Sequence, residues 1–355
     1  MKNFSKLIVM ILTVSMLSIS CGDTKKGYEL ALITDVGTID DRSFNQGSWE
    51  GLKKYADEKN ITHKYYQPTE KTTDAYIDSI DLAVAAGAKI VVTPGFLFEP
   101  AIYKAQDTHP EVNFVLLDGS PQDGTYTDFR IEKNVYSVFY AEEQAGFLAG
   151  YGAVKDGYTN LGFMGGMAVP AVVRFGYGFV QGVNYAAKEF GIRNVKVDYN
   201  YLGGFNPSPE IQTKAASWYR NGVQVIFVAG GGAGNSVMAA AEQNNGYVIG
   251  VDVDQSGESS SVITSAMKMI GESVYNAIDE FYKGTFPGGQ SVVLDAKVHG
   301  IGLPMENSRF KNFTKEDYDN IYQKLVDGSI KVLNDTNVKE ASQLPLDSAR
   351  LNLIQ

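Results

Sequence analysis

The sequence predicts an α/β protein with two lobes, each built around a parallel sheet, and this prediction depends on three features of the chain. A length of 355 residues exceeds that of one ordinary domain and suits two lobes. Short apolar segments of the kind that form fully buried parallel strands alternate with amphipathic helical segments. This alternation begins again after residue 130, and one motif recurs with it, as Phe44-x-x-Gly47-x-x-x-Gly51 and as Phe175-x-x-Gly178-x-x-x-Gly182.

The first series of segments predicts one lobe, because strands and helices alternate in it and Gly and Pro residues stand between them. Each helix would join two strands by a right-handed crossover, which makes the strands parallel. The predicted strands are residues 30–34, 62–66, 90–93 and 113–118, and the predicted helices are residues 44–60, 73–86 and 99–107.

The second series predicts a lobe of similar architecture. The recurring glycines at the start of each series would allow a helix to pack closely on its sheet, which supports two lobes of one design. The predicted helices are residues 140–154, 171–190, 208–221 and 235–243, and the predicted strands are residues 160–163, 195–199, 224–228 and 247–251.

The remaining segments are too few to form a third domain. We expect them to complete the two lobes, so that the chain crosses between the lobes more than once. The predicted strands are residues 261–264 and 291–300, and the predicted helices are residues 268–283 and 315–325. From residue 334 onward the sequence has no pattern that predicts an element.

The N-terminal segment differs in kind from the rest of the chain. Lys2 and Lys6 precede an apolar stretch, residues 7–19, that is too short to span a bilayer. Cys21 follows this stretch directly after the small residue Ser20, an arrangement typical of a bacterial lipobox. Because Cys21 is the only cysteine in the sequence, no intramolecular disulfide can form.

We therefore predict a signal peptide over residues 1–20 and a spacer over residues 21–27 that is lipidated at Cys21. A lipid at this position would tether the protein to the outer face of a membrane. Ser18 stands where lipoboxes usually carry Leu. The alternatives are an ordinary signal peptide without lipidation and an uncleaved anchor.

The charge of the chain argues against nucleic acid as a partner. The formal net charge is −10, and the sequence contains no basic cluster. Binding to nucleic acid depends on cationic groups that displace counterions from the phosphates. We therefore expect no nucleic-acid partner.

Chemically useful side chains follow the predicted strands at their carboxyl ends, where ligands bind in open α/β sheets. The candidates in the first series are Asp35, Phe44, Asn45 and Asp118. Those later in the chain are Phe205, Gly231 of the glycine loop 229–234, Asp252 and Lys268. If the two sheets face each other, these residues line one cleft. A purely structural role is the alternative for two of them, because Asp35 could cap a turn and Phe44 could pack as a hydrophobic staple.

The patterns of the common enzyme classes are missing from the sequence. His63, His109 and His299 do not have the spacing of metal ligands, and no G-x-S-x-G motif is present. The glycine loop lacks the Gly-Lys-Ser/Thr of a phosphate loop, and the first strand is not followed by G-x-G-x-x-G. Glycoside cleavage by two carboxylates stays open. The sequence therefore favours ligand binding, without a cofactor or metal ion, over catalysis.

Four motifs resemble the basic membrane protein family of substrate-binding lipoproteins, and in particular its purine nucleoside receptor A type. The resemblance extends over about residues 28–330. The motifs are Asp35-Val-Gly-Thr-Ile-Asp-Asp-Arg-Ser-Phe-Asn45, Glu143-Gln-Ala-Gly-Phe-Leu-Ala-Gly150, Arg174-Phe-x-x-Gly-Phe-x-x-Gly182 and Gly250-Val-Asp-Val-Asp-Gln255.

The resemblance implies a type I periplasmic-binding-protein fold, in which three crossovers join two Rossmann-like lobes with parallel sheets. It also implies an extracytoplasmic protein that serves the permease and ATPase subunits of an ABC importer. The implied division is residues 28–131 plus 264–297 for the N-terminal lobe, residues 132–263 plus 298–335 for the C-terminal lobe, and residues 336–355 for a tail.

The resemblance also assigns roles within the predicted cleft. Phe44 and Phe205 correspond to the pair of rings that sandwiches a purine, and Phe175 is an alternative to Phe205. The base-edge contacts would be Asp35, Asn45 and Asp118, and the ribose contacts would be Asp252, Lys268 and the Gly231 region.

Several ligand and function classes stay open beside a purine nucleoside. Carboxylates and a single lysine suit an uncharged nucleoside better than a nucleotide, because a phosphate needs more cations. A pentose or similar sugar also fits such residues. A signalling or adhesion lipoprotein with this fold and an enzyme that cleaves nucleosides are further alternatives.

Overall fold

The computed structural model describes residues 27–354 with the exception of Val36. The predicted signal peptide, most of the predicted spacer and Cys21 lie outside the described residues. Within the described part the strands are β1 Leu30–Ile33, β2 His63–Tyr66, β3 Ile90–Pro94, β4 Asn113–Leu117, β5 Val135–Tyr140, β6 Asn160–Gly165, β7 Val195–Tyr201, β8 Val225–Ala229, β9 Tyr247–Asp252, β10 Val262–Lys268, β11 Gln290–Leu294, β12 Ile301–Gly302 and β13 Ala349–Leu353.

Helices follow most of the strands, as the alternating pattern predicts. Their first turns often carry Pro or a hydroxyl cap, which explains why their starts are close to the predicted ones. The helices are α1 Phe44–Lys59, α2 Thr73–Ala85, α3 Glu99–Thr108, α4 Glu142–Lys155, α5 Pro170–Glu189, α6 Pro209–Arg220, α7 Gly234–Asn244, α8 Ile270–Lys283 and α9 Lys315–Val326.

Two sheets organise these elements. The first has the strand order β11-β5-β4-β3-β1-β2, and the second has the order β12-β10-β9-β8-β6-β7-β13. All pairs in the first sheet are parallel. In the second sheet only the pair of β10 and the two-residue β12 is antiparallel. Strands β1, β3 and β8 are buried along their whole length, as expected for parallel sheets covered by helices.

The chain passes between the two sheets three times, after β5, after β10 and after β11. The predicted number of crossovers is therefore confirmed. Helix α4, which follows the first passage, packs on α5, and helix α8, which follows the second, packs on α1. Each of these two passages thus takes the chain from the end of a strand in one sheet to a helix that packs beside the other sheet.

The structure places the first two of these passages later than the predicted lobe boundaries. Strand β5, Val135–Tyr140, belongs to the first sheet, although residues from 132 onward were expected in the C-terminal lobe. Strand β10, Val262–Lys268, belongs to the second sheet, although residues from 264 onward were expected in the N-terminal lobe. No Gly or Pro separates strand from helix at either point, so the apolar pattern continues across each passage and hides the boundary.

Two further segments differ from the predictions. The expected strand 291–300 is divided into β11, a 3₁₀ turn at Ala296–Val298 and β12, and the two strands belong to different sheets. The expected tail is not a separate segment, because β13 pairs in parallel with β7 at the edge of the second sheet. Its residues are half-buried or exposed and none is fully buried, which leaves only a weak apolar signal in the sequence.

The recurring glycines pack helix against helix, and the predicted packing of helix on sheet is wrong. A Cβ atom on Gly178 of α5 would lie 1.9 Å from the carbonyl oxygen of Glu143, and one on Gly182 would lie 2.0 Å from that of Phe147. Both carbonyls belong to α4. In the other lobe Gly51 of α1 approaches Gly271 of α8 in the same way. The motif therefore marks the helices on which the crossover helices pack.

Candidate functional site

The carboxyl ends of strands from both sheets face one cleft with a volume of about 1030 Å³. This is the arrangement that the topology of open parallel sheets predicts. All eight predicted ligand-binding residues line this cleft, namely Asp35, Phe44, Asn45, Asp118, Phe205, Gly231, Asp252 and Lys268. The structure therefore brings the eight residues together, and their roles in binding stay predictions.

A hydrogen-bond network fixes the entrance to α1. The buried carboxylate of Asp41 accepts hydrogen bonds from the backbone N–H groups of Ser43, Asn45 and Gln46 at 2.9 to 3.1 Å. The side-chain amide of Asn45 donates to Asp41 and to Asp35, each at 3.0 Å. Burial raises the pKa of Asp41, and these hydrogen bonds oppose the shift. Asp41 thus orients Asn45 toward the cleft, a role that the sequence prediction missed.

Asp35 closes a turn, as considered for it, and its role in ligand binding stays a prediction. Its carboxylate accepts the backbone N–H of Gly37 at 2.7 Å, which closes a turn, and it also lines the cleft. Phe44, at the start of α1, is half-buried and likewise lines the cleft.

The ammonium of Lys268 lies at the base of the cleft and is almost fully buried. Its Nζ atom is 2.7 Å from Asp118 Oδ2, 3.2 Å from Asp252 Oδ1 and 3.8 Å from Glu142 Oε1. Burial alone would lower the pKa of Lys268, but these three carboxylates outweigh it and raise the pKa. The lysine is therefore charged at neutral pH. It ends β10, although the sequence predicted it at the start of a helix.

Three aromatic rings surround the same ammonium. Nζ of Lys268 lies 4.3 Å from the ring centre of Phe44, 5.3 Å from that of Tyr140 and 5.5 Å from that of Phe175. These distances are within the range of cation–π attraction, which strengthens as the groups are removed from water. Lys268 is thus held by ion pairs and ring faces together.

The two strand-end aspartates adopt a backbone conformation that is uncommon outside glycine. The φ angles of Asp118 and Asp252 are +53° and +68°. Such strain persists where surrounding contacts fix it, and here both carboxylates meet Lys268. Asp252 also accepts a hydrogen bond from Ser43 Oγ at 2.6 Å, whereas Oδ1 of Asp118 is buried and accepts none from any described residue. One oxygen of Asp118 is therefore left with its hydrogen-bonding capacity unused by the described residues.

Phe205 is held by two glycine segments of the second lobe. A Cβ atom on Gly166 would lie 2.5 Å from the ring of Phe205, so only a glycine allows this ring to lie against the backbone. The backbone N–H of Ala233, two residues after the predicted Gly231, donates to the Phe205 carbonyl at 2.7 Å. Phe205 is half-buried, which leaves part of its ring accessible.

Phe175, the alternative stacking residue, has a different environment. It lines the cleft but is only 2% exposed, and its ring packs edge-to-face on Phe227 with the ring centres 5.8 Å apart. A ring that is covered to this extent has little free surface for stacking on a base.

Contacts between the loops on either side close one edge of the cleft. Arg42 forms an ion pair with Glu258, and the backbone carbonyl of Arg42 accepts a hydrogen bond from Gln255 Nε2 at 2.8 Å. Among the described residues that line the cleft, seven are carboxylates and two are cations, Arg42 and Lys268. Both cations are already paired with carboxylates, so the site is poorly suited to a phosphate.

Fold and cleft together define a class of protein, a two-lobed binding protein whose ligand site lies between two mainly parallel sheets. The family model for ABC transporter substrate-binding proteins of the PnrA-like type, called Bmp, matches residues 28–341. This protein belongs to that family, as the four motifs of the sequence predict.

Curated relatives are similar over nearly their whole length. The ABC transporter nucleoside-binding protein BmpA of Lactococcus lactis is 30% identical over 334 residues, which cover 88% of this chain and 90% of the relative. Basic membrane protein D of Borreliella burgdorferi is 29% identical over 326 residues, with 88% and 91% covered.

Solved structures confirm the fold. An ABC transporter solute-binding protein from Aeropyrum pernix superposes with a TM-score of 0.75 at 23% identity and covers 89% of this chain and 95% of its own. A second, from Conexibacter woesei, gives a TM-score of 0.69 at 22% identity, with 86% and 99% covered. The predicted type I periplasmic-binding-protein fold is therefore confirmed.

Proposed function

We propose that this substrate-binding protein captures purine nucleosides in its cleft and delivers them to the permease and ATPase subunits of an ABC importer. The observation that carries the proposal is that Phe44 and Phe205 line one cleft together with polar side chains. Each ring enters from a different side of the cleft and is half-buried. Two such faces suit a flat base better than a sugar alone.

The polar groups of the cleft suit the remaining parts of a nucleoside. Asp35, Asn45 and the unpaired oxygen of Asp118 provide oxygen acceptors for the N–H groups at the edge of a base. Asp252 and Lys268 provide an acceptor and a donor for the hydroxyl groups of ribose. The name of the relative from Lactococcus lactis, a nucleoside-binding protein, supports the same ligand class.

Charge favours a nucleoside over a nucleotide. A phosphate would enter a cleft in which carboxylates outnumber cations and in which Lys268 already faces three carboxylates. Repulsion from the carboxylates and the loss of phosphate hydration would both oppose binding.

The proposed location is the outer side of the cell membrane, with the protein anchored by a lipid on Cys21. None of the helices in the described part of the chain is long and apolar enough to cross a membrane. Mass spectrometry of the protein purified from membranes tests the anchor, because acylation adds the mass of fatty acids to the peptide that begins with Cys21.

Calorimetric titration tests the proposed ligand. The protein is unfolded and refolded to remove bound molecules, and is then titrated with inosine, guanosine, adenosine, cytidine and ribose. We expect binding of the purine nucleosides and no heat with ribose. Binding of ribose alone would refute the proposal in favour of a pentose-binding protein, and release of free base during the titration would reveal an enzyme.

A second measurement tests transport. Uptake of a labelled nucleoside is compared in cells with and without the gene for this protein. Loss of uptake in the deletion supports a role in import, and unchanged uptake would favour a signalling or adhesion role.

A further inference from the structure

Glu142 is a buried carboxylate that takes no part in the proposed nucleoside contacts. It is the first residue of α4, directly after the first passage between the sheets, and its exposure is 0%. Neither of its carboxylate oxygens accepts a hydrogen bond from a described residue. A buried charge without hydrogen bonds is costly, and its presence calls for a compensating role.

Two cations flank this carboxylate from different elements. Lys268, at the end of β10, places Nζ 3.8 Å from one oxygen of Glu142, and Arg174 of α5 places a guanidinium nitrogen 3.7 Å from the other. Arg174 is itself fixed by Asp335, at 2.7 Å. Glu142 therefore links the ammonium at the base of the cleft to α5, whose first turn forms part of the cleft wall.

The ammonium that Glu142 faces also joins the two sheets. Its partner Asp118 follows β4 of the first sheet, and its partner Asp252 ends β9 of the second sheet. Glu142 is the third carboxylate around the ammonium and attracts it from a third direction.

We propose that Glu142 is a positioning residue, which acts through Lys268 and holds the ammonium where it meets both Asp118 and the ligand. The part of this inference that concerns affinity rests on the proposed function, since it takes Lys268 as a ligand contact. The part that concerns the position of the Lys268 ammonium does not depend on a ligand.

The charge of Glu142 depends on all the groups that face it. These are Lys268 from β10, Asp118 from the end of β4, Arg174 from α5 and the neighbouring Glu143 of α4. Burial raises the pKa of Glu142 well above its ordinary value, and Asp118 adds to the rise, while Lys268 and Arg174 oppose it. Acid therefore removes the charge that holds the lysine.

The test compares Glu142→Gln with Glu143→Gln in the titration described above. Glu143 is the adjacent residue of the same helical turn, and it is hydrogen-bonded to Asn334 at 3.2 Å instead of facing Lys268. We expect Glu142→Gln to weaken nucleoside binding about tenfold or more and Glu143→Gln to change it less than about twofold. We also expect the wild type to approach Glu142→Gln in affinity as the pH falls from about 8 to about 5.

A second readout needs no ligand. The ammonium protons of Lys268 give a nitrogen-resolved NMR signal when they exchange slowly with water, and we expect exchange to be about tenfold faster in Glu142→Gln but unchanged in Glu143→Gln. Glu142→Asp retains the charge and should restore most of the protection. It also serves as the variant of choice if Glu142→Gln does not fold, with intermediate exchange as the expected result.

The outcomes separate the two proposals. If the wild type binds no nucleoside, the proposed function fails and the exchange measurement alone decides the role of Glu142. Equal exchange of the Lys268 protons in wild type and Glu142→Gln overturns the inference. The same holds if both glutamine variants weaken binding equally, because the effect would then belong to the start of the helix and not to the lysine.

Discussion

Removal of the buried ammonium in Lys268→Met should destabilise the protein strongly. Methionine preserves most of the volume of the side chain but leaves Asp118, Asp252 and Glu142 without their common cation. Breaking a buried ion pair from one side costs about 3–5 kcal/mol, because the remaining charge stays buried without compensation. Asp252 keeps the hydrogen bond from Ser43, so we expect the lower part of this range.

The pH dependence of the lost stability tests whether unpaired carboxylates cause it. The pKa of Glu142 is already raised by burial, and Lys268 is one of the groups that lower it, so the substitution raises it further. A carboxyl group whose pKa is higher in the folded than in the unfolded state binds protons on folding, and its stabilising effect decreases as the pH rises. The deficit of Lys268→Met should therefore be largest near pH 8 and smaller near about pH 5.

Urea unfolding at the two pH values, followed by circular dichroism, measures the free energy of unfolding. Lys283→Met is the matched control, because Lys283 makes its ion pair with Asp279 on an exposed helix surface. We expect this control to unfold like the wild type at both pH values. A deficit of Lys268→Met that is equally large at both pH values would refute the assignment to unpaired carboxylates.

Three other substitutions test separate parts of the structure. Phe44→Ala should weaken nucleoside binding by about 2 kcal/mol through loss of a stacking face, as measured by calorimetry, with Phe190→Ala outside the cleft as the control. Gly178→Ala should destabilise the protein by about 1–3 kcal/mol in urea, since its Cβ would meet the α4 backbone, whereas Gly257→Ala meets no atom within 4 Å. Asp41→Ala should cost about 1–2 kcal/mol by removing the cap of α1, and an unchanged urea midpoint would contradict the capping role.

The position of the site was predictable from the sequence because parallel sheets place the carboxyl ends of their strands along one edge. Asp35, Asp118 and Asp252 each follow or end a strand, so the prediction of the strands was enough to bring them to the cleft. The prediction that Lys268 lines the cleft was correct although its element was predicted wrongly. The end of a strand and the start of the next helix occupy nearly the same place.

Other features of the fold and the site could not be predicted, because the local sequence pattern does not show contacts between residues that are distant in the chain. Strand β5 runs toward α4 without a breaking residue, and its last residue, Tyr140, was assigned to the helix. Asp41 and Ser43 looked like ordinary loop residues, since their partners lie on the folded helix end and on Asp252. Glu142 was detectable in principle, as an acidic residue at the start of an apolar helix, but only the folded chain shows that it lies between two cations.

The first two passages between the sheets lie beside the binding site. Strand β5 ends in Tyr140 and strand β10 ends in Lys268, and the tyrosine ring lies beside the lysine ammonium. Lys268 belongs to the second sheet, whereas its nearest partner, Asp118, follows a strand of the first. A rotation that separates the sheets must lengthen this contact, since its two atoms are carried by different sheets. A ligand that contacts both residues would oppose the rotation, and this links occupancy of the cleft to its closure.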